Sequence, residues 1–399
     1  MNSIKKISPQ HCYSCRSCEQ ICPKRCISMQ ETPEGFLYPH IKSELCVDCG
    51  MCLSHCPAHV LPEQYNFTKK YFAGKLKNKN EIIKSSSGGA FAGFARYVLE
   101  NGGIVYGAAF TEDFSVMHCR IESVEELKKL QGSKYVESNM GETYSEVQNS
   151  LKNGKKVLYS GTPCQIAGLR KFLACDYENL YTIDLICHGT PSRKLFKKYI
   201  EWLGNKFKGN IIYYNFRDKQ SGGWSCGGKA KTKTKTKTKT INGYNDPYYH
   251  SFLKSYTYKM SCYNCNYANI KKRPGDITIG DFWGVSYFYP QFYSEKGVSE
   301  IITNSQKGLS LFETAANNFD FIPITYEQAV YQNGNLTAPS KMPERRKTIY
   351  NGINDLPLDR YMKSLMPTRK EFFIGWIKSI VPKSLKVFLK SKINGSKMK

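Results

Sequence analysis

KKVLYSGTPCQIAGLRKFLACDYENLYTIDLICHGTPS, residues 155–192, decides the fold of the long part of this 399-residue chain. KVLYS (156–160) reads as a strand, GTPCQIAGLRKFL (161–173) as a turn into a helix, and LYTIDLIC (180–187) as a buried strand. PSRKLFKKYIEWLG (191–204) follows as a helix that opens with Pro191 and Ser192. Strands separated by helices predict an α/β domain with a mainly parallel sheet. Ligands of such sheets sit beyond the carboxyl ends of the strands. Cys164 and Cys187 both fall there.

Upstream the alternation continues. IVYGAAF (104–110) reads as a strand, and SVEELKKLQ (123–131) and TYSEVQNSLKNG (143–154) as helices. AFAGFARYVLE (90–100) has the apolar spacing of an amphipathic helix. It is preceded by Ser85-Ser86-Ser87-Gly88-Gly89, a start at which free N–H groups can meet a phosphate, or at which serines simply cap a helix. Residues 63–84 are lysine-rich and patternless and read as a linker.

Downstream, KTKTKTKTKT (231–240) is of low complexity and reads as a surface insertion, with an exposed hairpin as the alternative. Cys262 and Cys265 form a C-x2-C before KKRPGDITIGDFWG (271–284). Alone, that pair fits half a zinc site or a redox pair; joined to Cys164 and Cys187 it gives four thiols for one cluster. His188 is placed to donate a proton or to bond a cluster sulfur. Asp276 reads as a cap or turn residue and Trp283 as core, with Asp281 between them.

At the other end of the chain, Cys12, Cys15, Cys18 and Cys22, then Pro23, spell C-x2-C-x2-C-x3-C-P, and Cys46, Cys49, Cys52 and Cys56, then Pro57, spell it again. Three cysteines of each run line a tight loop around one cuboidal cluster while the fourth reaches the other cluster. The expected sets are Cys12, Cys15, Cys18 and Cys56, and Cys22, Cys46, Cys49 and Cys52. Zinc knuckles also use C-x2-C pairs, but four ligands per ion do not explain a doubled run of four with proline after each. Residues 8–60 resemble two-cluster bacterial ferredoxins, which predicts an α+β module carrying two 4Fe-4S clusters. Cys26 lies outside both runs and reads as a small buried hydrophobe. Cys119, Cys175 and Cys226 have no assigned place either.

GTPCQIAGLR, DLICHGTPS, the C-x2-C and RPGDITIGDFWG occur in that order and resemble the coenzyme F420 hydrogenase/dehydrogenase beta-subunit family over roughly residues 80–340. The resemblance implies an oxidoreductase that binds FAD and a further 4Fe-4S cluster, with Cys164, Cys187, Cys262 and Cys265 as ligands. It places FAD against SSSGGAFAG (85–93) and GSKYVES (132–138), hence against Ser87, Gly88, Gly89, Gly132, Ser133, Lys134 and Tyr135. Lys134 would meet the pyrophosphate or the flavin edge. Lys134, His188 and Asp281 are the candidate catalytic residues. No GxGxxG fingerprint supports a Rossmann-type nicotinamide site.

Sixteen cysteines grouped in motifs, in a long chain without a recognisable signal segment, fit metal thiolates in a reducing compartment, and the expected location is cytoplasmic. The net charge of +25 is tempered by the clusters to roughly +19 and stays basic. That favours acidic redox proteins, anionic substrates or anionic lipid; no nucleic-acid motif accompanies it. EFFIGWIKSIVPKSLKVFLKSK (371–392) mixes aromatic and basic residues as interfacial helices do, while Pro382 breaks the pattern. The expected domains are therefore a ferredoxin module (1–62), a linker (63–84), a flavin and iron–sulfur domain (85–340) and a basic extension (341–399). Two functions fit them. One is a self-contained flavoenzyme that exchanges electrons between a ferredoxin-like partner and a small organic substrate or deazaflavin-like coenzyme. The other is a relay subunit whose catalysis resides on a partner chain.

Overall fold

The computed structural model describes residues 2–224, 227–233, 238–243, 245–369 and 371–373. Strands β1 (Ile27–Glu31) and β2 (Leu37–Ile41) form an antiparallel hairpin in the leading module. The main sheet draws on β3 (Lys70–Leu76), β4 (Ile104–Phe110), β5 (Val116–Ile121), β6 (Val157–Gly161) and β7 (Leu180–Leu185). A separate three-stranded sheet holds β8 (Ile211–Asn215), β9 (Gly227–Thr232) and β10 (Lys239–Asn242). The main sheet is completed by β11 (Ile277–Asp281), β12 (Ser299–Thr303) and β13 (Phe319–Pro323), in the order β13-β3-β12-β11-β7-β6-β4-β5.

Its centre is parallel. Ile183 of β7 pairs with Ser160 of β6 on one side and Ile277 of β11 on the other. β4 joins β6 in the same sense, whereas β5, β12, β3 and β13 are attached through antiparallel pairings. Strands β3, β11, β7, β6 and β4 therefore run one way. A parallel centre must be covered on both faces, and the side chains alternate accordingly. Val157 and Tyr159 of β6 pack under the helices Thr143–Lys152 and Pro163–Leu173, while Leu158 faces the core of the helices Ala90–Glu100 and Gln306–Ala315.

Three stretches depart from the sequence reading. Residues 63–84 are not a linker: β3 lies second from the sheet edge, hydrogen-bonded to both β12 and β13, and the helix Lys79–Lys84 is capped by Asn78. Lysines at the two ends of KYFAGKL hid a strand whose middle, Ala73, is fully buried. The lysine–threonine repeat is held by a hairpin of β9 and β10, with Ala230 and Thr232 buried; residues 234–237 lie outside the described residues. The extension after 340 is packed as far as Leu365. Ile349, Tyr350, Ile353, Tyr361 and Met362 join Phe196, Tyr199 and Trp202 in an aromatic core beside the helix Arg193–Phe207. The amphipathic reading of 371–392 falls almost wholly outside the described residues, apart from the exposed Phe372 and Phe373. Among the described residues no helix is long and apolar enough to cross a membrane.

Candidate functional site

The leading module brings its eight motif cysteines into two groups. Cys12, Cys15, Cys18 and Cys56 line one small cavity, and Cys22, Cys46, Cys49 and Cys52 line another together with Cys26. Burial drives the thiols of the first group upward, Cys56 to about 11. Bare thiolates are therefore unfavourable there, and metal ions would supply the compensating positive charge. Among the described residues no three cysteines, histidines or carboxylates close on a point that a single ion could occupy. Cys26 is buried with its sulfur 3.4 Å from that of Cys22, a contact that its place outside the motifs did not reveal.

A third group forms in the main domain. Thr162 caps the helix Pro163–Leu173 through a capping box with Gln165, and this sets Cys164 in the first turn just beyond β6. Cys187 follows β7 by two residues, while Cys262 lies in the 3-10 helix Met260–Asn264 and Cys265 caps its end. The four thiols stand close enough to raise one another. Burial contributes most, and Cys187 reaches about 12 and Cys262 about 11. The buried Arg273 opposes this at Cys187 and Cys265. Its guanidinium is fixed by Leu185 O (2.9 Å), Asn335 O (3.3 Å) and the carboxylate of Asp184 (3.4 Å).

These four cysteines line a cavity of about 550 Å³ that also takes in Ser87, Gly89, Gly132, Ser133, Lys134 and Tyr135. That volume is ordinary for a cofactor site. The two segments meet directly, Ser133 donating to Ser86 at 2.7 Å. Gly89 precedes the helix Ala90–Glu100 with φ +89°, a conformation that suits glycine. Gly88 does not line the cavity: a Cβ there would lie 2.3 Å from Gly74 O and 2.5 Å from Ser299 N, so this glycine lets the loop lie on β3 and β12. Lys134 lines the cavity but turns its ammonium to the carbonyls of Leu130 (3.1 Å), Gln131 (2.9 Å) and Gly132 (3.2 Å). Burial lowers its pKa to about 7.

The other candidates share this space. His188 lines it, with its pKa lowered by burial. Asp281 has both carboxylate oxygens engaged, one by Arg217 (2.7 Å) and one by the Trp224 indole (2.6 Å), and so orients Arg217 at the cavity wall. Trp283 also lines the cavity and stacks on Trp224 at 4.9 Å. Asp276 stays in the sheet, bonded to Thr182 and Ser305. Sequence reasoning missed His118. Burial lowers it to about 4, so the neutral ring donates from Nε2 to Ser160 O (3.0 Å) and accepts from Ser138 (2.7 Å). A lone histidine in VMHCRI carries no motif to signal this.

The leading module closes one side of the cavity through Tyr13 and Ser14. The rings of Tyr13 and Tyr267 pack at a tilt of 54° with centroids 5.5 Å apart, and the Tyr267 hydroxyl donates to Pro57 O at 2.9 Å. Charge at Cys15, Cys164 and Cys265 acts on Tyr267, which places it between the first cysteine group and the third.

Residues 154–325 match the family described as the C-terminal part of the coenzyme F420 hydrogenase/dehydrogenase beta subunit, and residues 11–60 match the 4Fe-4S dicluster domain. The chain is 29% identical over 189 residues to the coenzyme F420-dependent sulfite reductase of Methanocaldococcus jannaschii, covering 45% of this chain and 28% of that protein. It thus spans just over a quarter of that relative's length. A chain from the xenon-derivatized F420-reducing NiFe hydrogenase complex of Methanosarcina barkeri superposes with a TM-score of 0.47 at 17% identity, over 72% of this chain and 93% of that one. A 4Fe-4S dicluster domain thus leads a region that matches the coenzyme F420 hydrogenase/dehydrogenase beta-subunit family, which makes the chain an iron–sulfur electron-transfer protein related to F420-dependent enzymes.

Proposed function

We propose that the protein is a flavin-dependent iron–sulfur oxidoreductase with three 4Fe-4S clusters and FAD, exchanging electrons with a small organic substrate or a deazaflavin-like coenzyme. One observation carries the reading: a single cavity is lined both by the thiols of Cys164, Cys187, Cys262 and Cys265 and by the serine- and glycine-bearing segments 85–89 and 132–135. Ferredoxin-module ligands would be Cys12, Cys15, Cys18 and Cys56 for the inner cluster and Cys22, Cys46, Cys49 and Cys52 for the outer. When bound, FAD supplies the exchange between one-electron carriers and a two-electron acceptor. The chain's part is to bury the inner and third sets, to set Tyr13 and Tyr267 between them, and to balance negative charge with Arg273, Arg217 and Lys134. His188 is the group placed to hold or move a proton, and the names of the family and of the archaeal relative favour the deazaflavin class.

The test is anaerobic reconstitution followed by iron counting and flavin extraction. About twelve irons per chain are expected, falling to about eight in Cys164→Ala or Cys187→Ala. Full iron in either variant, or zinc in its place, removes the third cluster. A fully iron-loaded protein that retains no FAD, and reduces no small acceptor by itself, would make it a relay subunit.

A further inference from the structure

The two cysteine groups of the leading module meet different surroundings. In the inner group Cys12, Cys15, Cys18 and Cys56 are each 8% exposed or less, and a Cβ on Gly168 of the main domain would come within 2.7 Å of Cys15. The outer group faces water: Cys49 is exposed, and Cys22 and Cys46 are half-buried. The loop that carries Cys46 and Cys49 also presents Leu45 and Val47, 50% and 59% exposed. Bases gather around it. Lys24 borders the outer cavity itself, Arg25 N bonds Cys22 O (3.1 Å), Lys42 N bonds Cys26 O (2.9 Å), and the Lys5 ammonium reaches Ser43 at 2.8 Å. All four side chains are exposed. Against them stand Glu44 and Asp48, and the Asp48 carboxylate accepts from the Asn2 amide at 2.6 Å.

We propose that this face is the docking site for a small acidic one-electron carrier protein whose own redox group lies at its surface. The two apolar side chains give a dry point of contact beside the cluster edge, and the bases steer and offset negative charge on the approaching partner. Encounters of this kind need little buried area, under about 1,200 Å². The step is a plain transfer: the carrier is oxidised by one electron and the outer cluster reduced by one, with no bond made or broken. The proposal rests on the cluster assigned to Cys22, Cys46, Cys49 and Cys52, and not on the flavin or the third cluster.

The test is stopped-flow reduction of the reconstituted full chain by a reduced acidic plant-type ferredoxin, at low and at high salt. The triple variant Lys5→Glu, Lys24→Glu, Lys42→Glu is compared with a control, Lys152→Glu, Lys155→Glu, Lys156→Glu, whose lysines are exposed between the end of the helix Thr143–Lys152 and β6. Iron content and the cluster spectrum of each protein are checked first; a wild type lacking the eight irons of the module would defeat the cluster assignment, separately from the docking face. At low salt the docking variant should lose at least about tenfold in second-order rate constant, and the gap should close at high salt. Reduced methyl viologen, a cation, should act on it as fast as on wild type or faster. An unchanged rate with ferredoxin, an equal loss in the control, or a parallel loss with viologen would each overturn the proposal.

Discussion

Lys134 is held by three backbone carbonyls that favour its ammonium, yet burial dominates and sets its pKa near 7. The sign follows. In the unfolded chain a lysine titrates near 10.4, so between about pH 7 and 10.4 the unfolded state holds a proton the folded state lacks, and this residue makes stability rise with pH over that window. Below pH 7 the penalty is present in full. An anion bound beside Lys134 would draw the proton back. On the proposed FAD site, binding at pH 8 should therefore take up close to one proton, and affinity should fall by up to about tenfold per pH unit above 7. Calorimetry in two buffers of different ionisation heat measures the uptake, and Lys134→Met should abolish it. Equal uptake in that variant would place the responsible group elsewhere. Gly89 is a poorer probe, because a Cβ there meets Leu76 at 2.6 Å in a positive-φ backbone. The family resemblance singled out Lys134 as a flavin contact, and the residue does line the cavity. Its engagement with carbonyls was not legible in the sequence, since nothing in GSKYVES fixes which way the amine turns.

Asp276 shows what an element owes to one side chain. One carboxylate oxygen accepts from Thr182 N (2.9 Å) and Thr182 Oγ1 (2.6 Å) on β7, and the other from Ser305 Oγ (2.6 Å), the cap of the helix Gln306–Ala315. The residue is 1% exposed. Asp276→Ala would leave buried donors unmet, and should cost about 2–4 kcal/mol in chemical denaturation with iron stoichiometry retained by the folded fraction. Loss of iron without loss of stability would make Asp276 part of the site instead. Among the elements flanking this point β6 and β7 were readable because they are apolar runs bounded by turns, whereas the strand inside DITIGDFWG was not read. β3, β12 and β13 were not recognised. Their pairing is antiparallel and long-range, and KYFAGKL carries flanking lysines that a local pattern reads as solvent-facing. The order of strands thus had to come from the fold, whereas the carboxyl-end position of Cys164 and Cys187 was already visible.

At the scale of the whole molecule the two modules are locked by charge as well as by apolar contact. Arg346, from beyond the main sheet, pairs with both oxygens of Glu34 in the leading module at 3.0 and 2.6 Å. Deeper in, Lys259 pairs with Glu137, and both reach across the boundary: the lysine to Ser14 Oγ and Leu37 O, the glutamate to Leu37 N at 3.2 Å. Side chains of this pair are 2% and 8% exposed. The Lys259 charge acts on Cys12 of the inner group and on Cys262 of the third, so it stands between two groups of thiols. Breaking a buried pair from one side leaves a lone charge, which costs about 3–5 kcal/mol, whereas removing both partners costs far less. Lys259→Met should therefore loosen the joint, and Lys259→Met with Glu137→Leu should restore much of the stability. The double variant removes the Glu137 carboxylate too, but Lys259 acts the more strongly of the two on Cys12, so the inner group still loses positive potential on balance. In the double variant the inner cluster should become harder to reduce, seen as a lower midpoint in an anaerobic potentiometric titration followed by paramagnetic resonance. A double variant as unstable as the single would show that packing, not charge, holds the modules. A restored fold with an unmoved midpoint would leave Lys259 a fastener with no influence on the electrons that pass it.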